Sequence, residues 1–174
     1  MLRQPHLTSN LDWFEMLQSR IADLDAIDRS ILAALQCDGR LTNHELSAKV
    51  GLSPSPCLRR VKNLEKIGVL SRYVALVDQQ SIGLDITAFV RVALETQGAS
   101  QLDHFEQTVV RWPEVLECYL MLGDADYQLR VVAESLADYE RFLRERLTKL
   151  PGIAKIQSSI AFRPVAYRTE LPIR

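Results

Sequence analysis

The stretch Thr42–Pro56, TNHELSAKVGLSPSP, leaves this chain one local course: helix, tight turn, helix. Thr42 followed three residues later by Glu45 is a capping-box pattern, in which each side chain satisfies a backbone N–H that the first helical turn leaves without a partner. Leu46 and Val50 are four apart and share one face of that helix. Gly51 supplies a residue able to take the left-handed backbone angle that ends it. Leu52 is an apolar plug. Ser53 and Pro54 then start a second helix, Ser as cap and Pro at the first helical position. Pro56 still falls in the first turn, where a missing N–H costs little.

That second helix is two-faced. Cys57, Leu58, Val61 and Leu64 fall on one side, and Ser55, Arg59, Arg60, Asn63 and Lys66 on the other. Between Ser53 and Tyr73 the chain carries Arg59, Arg60, Lys62, Lys66 and Arg72 against the single acid Glu65. A helix-turn-helix whose second helix exposes Arg, Asn and Ser is a device for entering the major groove of DNA. Arg pairs bidentately with guanine and Asn with adenine, while Ser caps and helix N-termini hold phosphates. The candidate DNA-binding residues are Thr42, Asn43, Ser53, Ser55, Pro56, Arg59, Arg60, Asn63, Lys66 and Arg72. A solvated amphipathic helix would account for the charge alone, but not for the capping and turn punctuation around it.

The formal net charge of −1 conceals an asymmetry. Residues 24–75 hold eight Lys/Arg against five Asp/Glu, and residues 76–174 hold eleven against fourteen. A small basic head on an acidic body is the expected layout of a protein that reads DNA and does something else besides. With 174 residues, two small domains fit. The three cysteines, Cys37, Cys57 and Cys118, lack metal-ligand spacing and read as reduced thiols of a cytoplasmic protein. No apolar run approaches the roughly 20 residues of a membrane span.

Taken in order, residues 1–23 form an N-terminal extension in which Phe14, Leu17, Ile21 and Leu24 recur at helical spacing. The head covers residues 24–77. Its first helix turns Leu24, Ile27, Ile31, Leu32 and Leu35 inward, with Asp25 and Asp28 in its first turn, where carboxylates suit the helix dipole. After the two helices above, Gly68 is a stop and Val69–Val77 reads as a strand, making the head winged. Residues 78–83 form a hinge, and a body runs from 84 to 174. In the body, Ile86–Leu94 alternates as a strand, and Leu102, Phe105, Val109 and Trp112 mark a helix face closed by Pro113. Val115–Leu122 and Tyr127–Ala133 form a hairpin around Gly123-Asp124-Ala125-Asp126. Ser135 caps a second helix with Leu136, Tyr139, Phe142, Leu143, Leu147 and Leu150 inward, and Ile153–Ala166 is the last strand. The order β-α-β-β-α-β is the split ferredoxin-like arrangement. The fold class is therefore α+β, a winged helix-turn-helix followed by a ferredoxin-like βαββαβ domain. Both helices cover one sheet face, and the other keeps Phe89 and Tyr119, which a second subunit would cover.

Head and body together resemble the Lrp/AsnC family, the leucine-responsive and asparagine-operon regulators of transcription. The resemblance rests on Leu24-Asp25-x-Ile27-Asp28-Arg29-x-Ile31-Leu32, Asp38-Gly39-Arg40, Glu45-Leu46-Ser47, Val50–Cys57 and Arg60-Val61-x-x-Leu64-Glu65, and in the body on Gly123-Asp124-x-Asp126-Tyr127 and Leu150-Pro151-Gly152. It does not extend to residues 1–23. What it implies is a regulator that binds double-stranded DNA and a small amino-acid effector, as a homodimer assembling further to a tetramer or octamer. Effector-binding residues carried over from it are Gly123, Asp124, Asp126 and Tyr127. A Gly-Asp-x-Asp turn can offer carboxylate oxygens to an ammonium and backbone N–H groups to a carboxylate, although such a turn also forms without any ligand.

Two other classes compete. Decarboxylases of haem precursors share the two-part architecture and use His and Arg in the body's cleft. Here the body's histidine is His104, on a helix, and no phosphate-cradling loop or nucleophile elbow appears, so no catalytic residue, metal ligand or cofactor is assigned. A sequence-tolerant DNA-architectural protein is the other, distinguished by a small preference for operator over random DNA.

Overall fold

The computed structural model describes residues 23–173, so the helix expected over Phe14–Leu24 lies almost wholly outside the described residues. Two compact units emerge: residues 23–75 with 167–173, and residues 76–166. The last seven described residues thus fold with the head, whereas the sequence reading gives everything after residue 84 to the body. Gln36 is the reason. Its side-chain amide donates to the Leu171 carbonyl (3.1 Å) and accepts from the Leu171 N–H (2.7 Å), and Ile173 packs on the head's core.

The head comprises α1 (Ala26–Cys37), α2 (Asn43–Lys49) and α3 (Pro54–Lys66). Asp25 caps α1 by accepting from the Asp28 N–H at 2.8 Å. At α2 the capping box is complete: the Glu45 N–H donates to the Thr42 hydroxyl (3.3 Å) and the Thr42 N–H to the Glu45 carboxylate (2.8 Å). Gly51 turns the chain with φ of 69°, where a Cβ would be strained. Ile31, Leu32, Leu35, Leu46, Cys57, Val61 and Leu64 close a small core between the three helices.

Both capping carboxylates sit below their ordinary pKa. For Asp25 the cause is first the Asp28 N–H and then Arg60; for Glu45 it is first the Thr42 backbone and then its hydroxyl. A carboxylate with a depressed folded pKa stabilises fully above its unfolded value and ceases to do so as pH falls through the folded one. Head stability should therefore hold above the ordinary carboxylate range and decline on its acid side. Hydrogen exchange of the Ala26–Lys49 amides between neutral pH and pH 3 checks this; protection that is unchanged down to pH 3 would contradict it.

The expected wing strand does not form. Val69–Val77 bends at Val69 and Leu70 and then runs on without regular structure or a ladder partner among the described residues, and Tyr73, Val74, Leu76 and Val77 are exposed. The segment is held at its start, where the Leu70 N–H donates to the Leu64 carbonyl, and at Tyr73, whose hydroxyl donates to Glu65 at 3.1 Å.

The body contains β1 (Ile86–Leu94), α4 (Ala99–Val109), β2 (Val115–Leu120), β3 (Tyr127–Ala133), α5 (Leu136–Glu145) and β4 (Ile153–Ile160). The sheet is antiparallel, in the order β2-β3-β1-β4. Alternation decides which side chains face the helices: Ala88, Val90, Val92 and Leu94 from β1 meet Tyr127, Leu129, Val131 and Ala133 from β3. Phe105 and Val109 of α4, Tyr139 and Phe142 of α5, then Leu147 and Leu150, complete this core. The opposite face carries Phe89, Arg91, Tyr119 and the Arg130–Glu117 ion pair (2.7 Å).

Elements end sooner than hydropathy suggests. β2 stops at Leu120 because the Met121 N–H already closes the hairpin on the Asp126 carbonyl. β4 stops at Ile160: Ala161 still donates to the Thr87 carbonyl (2.8 Å), but the ladder goes no further, and Pro164 beyond it has no N–H to continue one. Trp112 lies past the end of α4 and packs edge-on against Phe142, with ring centroids 5.6 Å apart. Leu136 is exposed, and Leu147 reaches the core from a 3₁₀ turn (Leu147–Lys149) rather than from α5.

One turn is locked from both sides. The Gly152 carbonyl accepts from the Glu95 N–H (2.8 Å) and from the Gln101 amide (3.0 Å), while Thr96 donates to the other end of that amide (2.7 Å). Gly152 has φ of 80°, and a Cβ there would strike the Gln101 amide. None of the described helices is long and apolar enough to cross a membrane.

Candidate nucleic-acid interface and effector site

Helical geometry sorts the residues of α3. Taking Arg59 as zero and about 100° per residue, Lys66, Ser55, Lys62 and Asn63 lie within about 60° of it. Leu58 and Arg60 fall about 100° to either side, on the border between solvent and core. Ser55, Arg59, Lys62, Asn63 and Lys66 are all exposed, and among the described residues none makes a side-chain ion pair. Lys62 belongs to this face, although the sequence reading leaves it out of the site; a helical wheel centred on Arg59 recovers it.

The two border residues depart from expectation. Leu58, placed in the core by its hydropathy, is 42% exposed. Arg60, placed on the DNA face by its charge, reaches back to the first turn of α1, with Nη1 2.7 Å from Asp25 Oδ2 and 2.9 Å from Asp28 Oδ1. Two carboxylates at a helix start outcompete solvent for a guanidinium that can reach them, and they raise its pKa further, Asp28 first. Arg60 therefore orients α3 against α1.

Two more candidates are committed internally. The Thr42 hydroxyl accepts from the Glu45 N–H and donates to the Glu45 carboxylate (2.8 Å). Asn43 donates through Nδ2 to the Pro54 carbonyl at 2.8 Å, tying the start of α2 to the start of α3, and its Oδ1 is buried with no partner among the described residues. Ser53 occupies the N-cap position of α3, but its hydroxyl makes no capping bond, contrary to the expected Ser cap. Pro56 is half-buried in the first turn, and Arg72 is exposed on the irregular segment after α3.

The four effector candidates divide in the same way. Gly123 (φ 146°) and Asp124 lie exposed at the hairpin tip. The Asp126 carboxylate spans to the loop after β1, accepting from the Leu94 N–H on Oδ2 and from the Gln97 amide on Oδ1, each at 2.7 Å, while its own N–H donates to Val92 (2.9 Å). Tyr127 is fully buried. Its ring stacks on Phe105 with centroids 4.5 Å apart, and its hydroxyl donates to Glu106 at 2.8 Å. Burial first, and then Glu106, raise its pKa far above the ordinary phenol range, so it stays neutral. Tyr127 is a core residue, against its placement in the effector set. The hairpin and the 94–97 loop meet because β1 and β3 are neighbours. Gln97 is absent from the linear motif, and only the strand order brings it there.

Elsewhere on the body, a cleft of about 230 Å³ at the end of β3 is lined by Glu114, Glu134, Asp138, Arg141, Glu145 and Arg146. Its charges answer one another, Arg146 with Glu114 at 2.8 Å and Arg141 with Asp138. Burial, helped by Glu106, pushes the Cys118 thiol up to about 11, so it is unreactive at neutral pH. Among the described residues no cluster of His, Cys, Asp and Glu could hold a metal ion.

Two family models match the chain: a winged helix-turn-helix DNA-binding model over residues 24–71 and the Lrp/AsnC ligand-binding domain over residues 87–171. The Bkd operon transcriptional regulator of Pseudomonas aeruginosa is 44% identical over 153 residues, covering 88% of this chain and 100% of that one. The leucine-responsive regulatory protein of Escherichia coli is 38% identical over 152 residues, covering 87% and 93%. A transcriptional regulator of Neisseria meningitidis, solved in complex with L-Met, superposes with a TM-score of 0.82 at 40% identity, covering 86% of this chain and 96% of that one.

Proposed function

The chain belongs to the Lrp/AsnC family of transcriptional regulators, and from that premise we propose that α3 reads an operator through Arg59, Lys62, Asn63 and Lys66 while the body senses an amino acid at its hairpin. The observation that carries the DNA half is the outward face of α3, basic, exposed and without internal partners among the described residues. Ser53 and Ser55, at the free start of α3, are suited to phosphates, and Arg72 to a neighbouring one. Thr42, Asn43 and Arg60 act indirectly, by fixing the angle at which α3 is offered.

On the effector side, Gly123 and Asp124 supply an exposed turn and a carboxylate for the ammonium group, and Asp126 holds the 94–97 loop beside them. The neighbour solved with L-Met supports an amino acid as the ligand class. The sheet face bearing Phe89 and Tyr119 is proposed as the contact between two protomers, whose heads would then occupy two half-sites about one helical turn apart. Further assembly to a tetramer or octamer would let an effector act by favouring one assembly over another, which requires only a differential affinity. The proposed setting is the cytoplasm, where the relatives' bacterial DNA lies, and no reaction is assigned.

Selection of bound sequences from random DNA, paired with thermal melting against each standard amino acid, tests both halves. A dyad-symmetric consensus and a melting point raised by at least one amino acid are the expected results. No enrichment over input DNA would overturn the DNA half, and no shift with any amino acid the other.

A further inference from the structure

We propose that the head carries a slot for an extended peptide, built on α1 around Gln36, and that the chain's own C-terminal Leu171-Pro172-Ile173 fills it as a second fastening between body and head. Three observations converge. Gln36 gives one donor and one acceptor to a single residue, Nε2 to the Leu171 carbonyl and Oε1 to the Leu171 N–H. An extended residue points its N–H and its C=O to the same side, so this two-point contact reads backbone in the manner of a neighbouring strand. Leu171 precedes proline, which biases it toward that extended conformation before it docks. Pro172 has no N–H to leave unsatisfied at the contact.

Side chains are used selectively. Leu171 is exposed, as a residue read through its backbone can be, whereas Ile173 is partly buried against the head's core. The slot thus needs an extended residue, a proline and then an aliphatic side chain. The chain leaves the head after Ala75 and returns to it at Tyr167, so body and head are joined at two points in the sequence. With the tail released, one connection remains.

The test uses the full chain, its Gln36→Ala variant, and a form ending at Glu170. Trypsin cleavage after Arg168, which is exposed beside the docked segment, is the first readout. Gln36→Ala should accelerate it by about tenfold, because cleavage follows the population of the open tail. Secondly, an acetylated peptide of sequence TELPIR should protect the α1 amides of the shortened form from hydrogen exchange and leave the full chain unaffected. Equal cleavage of parent and variant, or a peptide without effect on the shortened form, would overturn the slot. A third readout rests on the reading of the head as a DNA reader: the shortened form should bind selected DNA several-fold more weakly. Unchanged DNA affinity alongside faster cleavage would retain the slot and remove the second fastening from operator binding.

Discussion

Replacing Tyr127 by Ala is expected to cost the body about 3–5 kcal/mol, as truncation of a large buried aromatic does. The ring is fully buried, stacked on Phe105, and bonded through its hydroxyl to Glu106. Nothing beside it can close a gap of that size without disturbing Val92 and Leu129, which are also fully buried. For a domain this small, the melting point should fall by about 15 °C or more. Tyr127→Phe keeps the stacking and leaves a carboxylate on an exposed residue that water can serve, so its cost should stay near 1 kcal/mol, the net worth of one hydrogen bond (~0.5–1.5 kcal/mol). Asp124→Ala, at the exposed tip, should fall within about 0.5 kcal/mol of the parent and weaken only the amino-acid response. Urea unfolding followed by far-UV circular dichroism and by tryptophan fluorescence, to which Trp112 beside Phe142 contributes, measures all three. A Tyr127→Ala protein that keeps its stability and loses only its effector response would return this residue to the ligand site.

The second large effect is on DNA. Arg59→Ala should weaken operator binding about 5- to 150-fold per head, the range for losing one good base contact (~1–3 kcal/mol), and binding should depend less steeply on salt where the lost contact is to phosphate. In a symmetric assembly the loss recurs in each head. Arg60→Ala should act otherwise. Its partners are Asp25 and Asp28, so removing it loosens α1 against α3 and raises amide exchange in the first turn of α1, with little change in the salt slope. Gel shifts at several salt concentrations, together with exchange measured over Ala26–Cys37, separate the two arginines. If Arg60→Ala lowers affinity as much as Arg59→Ala while α1 exchange is unchanged, Arg60 belongs on the DNA.

What could be read from the linear chain, and what could not, follows the range of the interactions. The helix-turn-helix was legible because its determinants are local: a capping box three residues wide, a Gly, and a Ser-Pro restart. The body's topology was legible because strand alternation and helix faces announce themselves within ten residues or so. The side chains whose roles changed, Arg60 and Asn43, and those given none, Gln97 and Gln36, are ones whose partners lie well beyond a helical turn along the chain. Arg60 finds Asp25 and Asp28, Asn43 finds Pro54, Gln97 finds Asp126, and Gln36 finds Leu171. Hydropathy could place Tyr127 on a strand but could not choose between a ligand cleft and a core, because a tyrosine suits both. The absent wing strand has a related origin. Val69–Val77 has the composition of a strand, but a ladder needs a second strand, and composition says nothing about whether one is within reach.

The turn at Gly152 bears on how this body can diverge. Its carbonyl is a meeting point for Glu95 and Gln101, its backbone angle is one that side chains resist, and the space where a methyl would go is already taken. Mutational drift meets less resistance at Glu170, which is exposed to solvent. At position 152 an ancestor and its descendants are bound to glycine by the backbone angle itself, whether or not the Gln101 amide swings aside.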